Sequence, residues 1–107
     1  MTTFDRREEA FEQRFAHNLE LLFKATARRN KMLGLWAANL LGLKGADAES
    51  YALSIVMSAF EKPDEPDIVR KIRKEFDAKG VVQSDHQISR RMSELNARAI
   101  EDIKAGR

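Results

Sequence analysis

The sequence predicts an all-α fold: a small four-helix bundle with a long first helix whose N-terminal part projects or is mobile. Three observations carry this expectation. Glycine and proline are few, 5 and 2 in 107 residues, and they cut the chain into four stretches. Within each stretch apolar residues recur at steps of three and four, the period of one helix face. No period-two alternation extends beyond Val81-Val82. The length is that of one domain, and 43% hydrophobic with 34% charged residues describes one modest core inside a charged surface.

The first helix is expected from about Phe4 to Leu41, closed by Gly42 in the break Gly42-Leu43-Lys44-Gly45, because glycine takes the left-handed conformation that ends helices. The second is expected over 47–61, with Asp47 as N-cap and an apolar stripe of Ala48, Ala52, Ile55, Val56, Ala59 and Phe60. Pro63-Asp64-Glu65-Pro66 makes the next break. The third, 65–79, opens with Pro66 in its first turn, where a missing N–H costs nothing. Its acids Asp64, Glu65 and Asp67 precede its bases Arg70, Lys71, Arg73, Lys74 and Lys79, in the order the helix dipole favours. Ile68, Ile72 and Phe76 form its stripe and Gly80 its end. The fourth, 85–104, follows Ser84, which with Gln87 forms a capping box; Ile88, Met92, Leu95, Ala99 and Ile103 make its stripe, and Ala105-Gly106-Arg107 should fray.

The first helix is too long for its domain. Some 38 residues at ~1.5 Å rise reach about 55 Å, whereas a compact domain of this size is about 35 Å wide. Composition says which end projects. Lys31 to Leu41 is nearly all apolar and holds the only tryptophan, Trp36, so this C-terminal part of the first helix belongs in the core of a bundle unit spanning 16–107. From Asp5 to Gln13 the chain is mostly charged, Phe4, Phe11 and Phe15 share a face, and the segment 1–15 is expected to form a mobile arm that becomes helical when bound. Like charges four apart, Asp5 with Glu9 and Glu8 with Glu12, weaken it as a free helix. Covering the end of the bundle is the other role open to the three phenylalanines.

Enzymatic chemistry has no foothold. With no cysteine there is no disulfide and no thiolate site, and there is neither a glycine-rich phosphate loop nor a nucleophile elbow. His17 and His86 lie on different helices without ligand spacing, so no metal site is expected; His17, near the junction of arm and bundle, is a candidate pH-sensitive group. The acidic clusters read as solvated helix starts. Net charge is only +2, less bias than a nucleic-acid binder shows. The longest apolar run, Met32 to Leu41, is half a bilayer span. Two basic clusters, Lys24, Arg28, Arg29, Lys31 and Arg70, Lys71, Arg73, Lys74, read first as solvated faces and second as a phosphate or nucleotide site, with ATP or ADP as a regulatory ligand. No other cofactor is expected.

The run Phe23-Lys24-Ala25-Thr26-Ala27-Arg28-Arg29-Asn30-Lys31-Met32-Leu33-Gly34-Leu35-Trp36-Ala37-Ala38 closely resembles the zeta-subunit family, inhibitors of the F-type ATP synthase of alphaproteobacteria. Phe4-Asp5-Arg6-Arg7-Glu8, Phe15-Ala16-His17, Val69-Arg70-Lys71 and Ser84-Asp85-His86-Gln87-Ile88 are similar to that family too. The resemblance implies a non-enzymatic inhibitor whose N-terminal helix enters a catalytic interface of the soluble head, between its alpha, beta and gamma subunits, and stops ATP hydrolysis. It implies a cytoplasmic protein held at the inner membrane only through the ATP synthase, without membrane insertion and without nucleic acid. Phe4, Phe11 and Phe15 would supply buried contact area. Asp5, Arg6, Arg7, Glu8, Glu9, Glu12 and Arg14 would set register and steer association. One departure stands out: Asn18 replaces the acid usual after the histidine, and Leu19-Glu20-Leu21-Leu22 makes the junction more apolar. This junction is expected to pack on the bundle. The alternative to an inhibitor is a nucleotide- or phosphate-sensing helical module that uses the basic clusters.

Overall fold

A computed structural model describes the backbone over residues 3–107 and the side chains of residues 13, 14 and 16–107. Four helices follow in order: α1 (Thr3–Leu40), α2 (Gly45–Glu61), α3 (Glu65–Lys79) and α4 (Asp85–Lys104), and among the described residues there is no strand. The all-α bundle with a long first helix is therefore present.

Three of the four helices stop in the same way. Gly42, Gly80 and Gly106 adopt φ of 82, 73 and 77°. Each donates its N–H to the carbonyl three residues back, and the residue after it reaches five back: Leu43 N–H to Ala38 at 2.9 Å, Val81 to Phe76 at 2.8 Å, Arg107 to Asp102 at 2.8 Å. This pattern satisfies carbonyls that the helix end would leave unpaired. It also corrects the expectation of a fraying tail. The last turn is closed, and Arg28 donates a hydrogen bond to the Arg107 carbonyl. The α4 start matches its capping box, with Gln87 N–H on Ser84 Oγ at 3.1 Å and Ser84 N–H on Gln87 Oε1 at 2.8 Å. The α2 start does not match. Its N-cap is Lys44, not Asp47, because Gly45 at φ +56° begins the turn two residues early. Asp47 sits inside the first turn instead, where its charge still complements the dipole.

The core gathers Leu33 and Ala37 of α1, Ile55 and Ala59 of α2, Ile68, Ile72 and Phe76 of α3, and Ile88, Met92 and Leu95 of α4. Trp36 lies half-buried edge-on to Phe76, with centroids 5.7 Å apart. The α1 and α2 backbones approach closely at Gly34, where a β-carbon would stand 2.7 Å from the Ala52 Cα. Only hydrogen fits there, so the Gly34-Leu35-Trp36-Ala37-Ala38 string has a packing reason: Gly34, Ala37 and Ala38 let other helices come close while Leu33 and Trp36 fill the sides. The α2 stripe is narrower than expected. Ala52, Ile55 and Ala59 are buried, but Phe60 is 60% exposed.

Candidate partner-binding site

The α1 backbone is unbroken from Thr3 to Leu40, and the molecule measures 65 × 25 × 22 Å. Among its described side chains the first buried one is Ala25; Gln13, Arg14 and residues 16–20 are all exposed. Leu21 is half-buried and, with Asn18 and Leu22, lines a groove against Ile100, Ile103 and Lys104 of α4, so the last described contacts of α1 with the bundle fall between Asn18 and Ala25. Phe4, Asp5, Arg6, Arg7, Glu8, Glu9, Phe11, Glu12 and Phe15 have side chains outside the described residues. Arg14 and His17 are exposed.

Helical register extends the expected stripe in the other direction. Leu22 follows Phe4 by 18 residues, which is five turns at ~3.6 residues each, so positions 4, 11, 15 and 22 run along one line of α1. Leu22 is 57% exposed, as are, to similar degrees, Leu19 and Phe23 beside it. The apolar junction therefore packs on the bundle only in part: Leu21 is half-buried beside α4, while Leu19 and Leu22 are exposed. On the α2 side it stands open, while the close contact of Gly34 with Ala52 lies well below it. Above that crossing a groove opens, walled by Leu22, Phe23 and Thr26 on one side and Val56, Phe60 and Pro63 on the other. The Phe23 and Phe60 rings meet across it at 5.9 Å, tilted by 50°. Sequence reading missed both as surface residues. Phe60 has the spacing of a core position, and only the divergence of the two helices exposes it.

The basic residues have mostly found acids. Lys24 pairs with Glu20 at 3.0 Å, Arg28 with Asp102 at 3.3 Å and Lys31 with Glu49 at 3.8 Å. Arg70 pairs with Asp67, Lys71 with Glu75 at 3.2 Å, and Arg73 with Asp77 at 2.9 Å and Asp85 at 3.2 Å. Asp77 and then Asp85 push the Arg73 pKa up, and the Lys24 ammonium, by hydrogen bond and charge, holds Glu20 below the usual carboxylate range. Arg29 is buried. Its Nε and Nη2 donate to Asn30 Oδ1 at 3.1 and 3.0 Å, and its Nη1 donates to Glu65 Oε1 at 2.9 Å. This side chain ties α1 to the first turn of α3. The two clusters line different grooves: Arg28 and Lys31 between α1 and α2, and Arg70, Lys71 and Lys74 with Lys62 beside α3. Burial, more than the neighbouring Glu75 carboxylate, pushes the Tyr51 phenol far up. Among the described residues no acid or histidine cluster is arranged to hold a metal ion. No described helix is long and apolar enough to cross a membrane.

A chain built this way offers surfaces for a protein partner. A family model described as ATPase inhibitor subunit zeta matches residues 1–102. The chain belongs to that family. Membership in the zeta family makes it a regulatory subunit that binds and inhibits an ATPase, a role in which exposed apolar residues have a use. No functionally curated protein matches the chain. A protein solved by solution NMR shares the zeta-family chain's fold at a TM-score of 0.68 and 34% identity, over 79% of this chain and 96% of that one.

Proposed function

We propose that the chain inhibits the F-type ATP synthase by inserting the N-terminal part of α1, about residues 4–15, into a catalytic interface of the soluble head, where alpha, beta and gamma subunits meet. The bundle stays outside as anchor and stop. The inserted helix jams the rotary cycle and blocks ATP hydrolysis on the cytoplasmic side of the inner membrane. The observation that supports this reading is the length of α1 beyond its bundle. More than twenty residues separate Thr3 from Ala25, the first buried side chain described on it. A helix end of that length, striped with phenylalanine at positions 4, 11 and 15, is built for a groove on another protein. Its ionisable residues, Arg14 among them, set register. The test is deletion of residues 1–15 followed by a hydrolysis assay on purified ATP synthase. Inhibition should vanish while the far-ultraviolet circular dichroism of the remaining bundle persists. Inhibition that survives the deletion refutes arm insertion.

Nucleotide sensing is a second reading, favoured by one feature: Ser58, Lys62, Arg70, Lys71 and Lys74 line a single groove between the α2 end and α3. Its potential is reduced by Asp67 and Glu75, which pair with Arg70 and Lys71. Saturable amide shifts around Lys62 and Arg70–Lys74 on ATP titration would support it.

A further inference from the structure

We infer that the open apolar face at the head of the bundle, formed by Leu19, Leu22 and Phe23 of α1 with Leu53, Met57 and Phe60 of α2, is a second docking surface for the same ATPase that takes the arm. This rests on the arm-insertion reading and adds the contact that holds the bundle in place.

The face is a cluster rather than scatter. Of the eight large hydrophobic side chains exposed among the described residues, these are six, and each is more than half exposed; the other two are Leu40 and Val82. Single exposed leucines need no explanation, whereas a contiguous patch on a small domain marks an interaction site. Its position names the occupant. Leu22 lies in line with positions 4, 11 and 15 on an unbroken helix, so a body that grips the arm along that line meets Leu22 and Leu19 without a gap. Phe23 and Phe60, ring against ring, carry the surface from α1 onto α2. Aromatic residues partly packed by their own protein are rigid and lose little entropy on binding, the character of interface anchors.

Charge supports an apolar partner surface. The ions beside the face are internally paired, Lys24 with Glu20 and Lys31 with Glu49. The centre of the patch is apolar, so the partner needs apolar side chains there and a polar rim, where Glu61 and Lys62 follow Phe60. The arm of the same chain is not the occupant, because α1 has no break about which it could fold back. A second copy seated here would cover the Leu22 line that insertion needs open.

The test uses the full chain. Phe60→Ser and, separately, Met57→Ser are compared with the wild type in hydrolysis assays on purified ATP synthase, beside the arm variant Phe11→Ser/Phe15→Ser. Both α2 variants should raise the half-inhibiting concentration about tenfold, the size expected for interface anchors, with melting temperatures unchanged and full inhibition still reached at saturation. Phe60→Tyr should restore most of the affinity. An unchanged half-inhibiting concentration for both α2 variants, while the arm variant loses inhibition, overturns the second surface and spares arm insertion. An arm variant that inhibits normally defeats arm insertion itself. A wild type that sediments as a dimer, made monomeric by Phe60→Ser, assigns the face to a second copy and overturns the inference.

Discussion

The two halves of α1 share one backbone and differ in what their apolar residues are for. From Lys31 to Leu40 the buried positions are mostly small, Gly34, Ala37 and Ala38, and neighbouring helices lie against them. From Leu19 to Phe23 three of the apolar positions are large and exposed. Small residues let backbones approach; large ones stand out and offer area. Hydrophobicity alone does not separate a core segment from a docking segment on one helix. Side-chain size against helix spacing does.

The strongest way to break the contrast is to enlarge the packed half. Gly34→Ala puts a methyl 2.7 Å from the Ala52 Cα. The ~1 kcal/mol that alanine gains over glycine in a helix is then outweighed by overpacking of about 1–3 kcal/mol. Gly34→Leu should lose more than either and lower the urea midpoint furthest of any variant here. Next comes the tie between α1 and α3. Glu65→Ala leaves the buried Arg29 cation with Asn30 alone and should cost about 2 kcal/mol, within the range for a stranded charge partner. Arg29→Met removes the buried charge and leaves Glu65, whose side chain is 63% exposed, to water, so it should cost less. Equal losses would refute the asymmetry.

Phe23→Ser sharpens the contrast from the other half. With 61% of its surface already in water, it should change stability by less than about 1 kcal/mol, while Leu33→Ala, fully buried, should cost about 2–5 kcal/mol. The smallest effect concerns acid. The folded state holds the Glu20 pKa below its ordinary 4.5 through Lys24. Its contribution is therefore present above that value and lost as pH falls through the folded pKa. Glu20→Gln should melt slightly below the wild type at neutral pH and converge with it in acid. A gap that widens in acid has the wrong sign.

Much of the fold was legible because its signals are local. Gly42, Gly80 and the Ser84–Gln87 box each act within one turn, and each ends or starts a helix where expected. Asp47 failed as N-cap because Gly45, two residues earlier, could already turn the chain. The site was less legible. Phe60 has core spacing, yet whether it is covered depends on how α1 and α2 diverge above Gly34, a property of two helices together. Arg29 and Arg28 look alike in the sequence; only the approach of Glu65 and Asn30 makes one of them internal. The apolar junction is expected on the bundle, but only Leu21 is half-buried there, beside the end of α4, and Leu19 and Leu22 stay exposed.

An α1 without a break behaves as a stiff lever. About 33 Å separates Ala25 from Thr3 at ~1.5 Å per residue, so tilting the bundle by ten degrees sweeps the tip through about 6 Å, roughly one helical turn. Whatever steadies the heavy end thereby aims the far one, and a label on the bundle would report the tip's orientation without touching it.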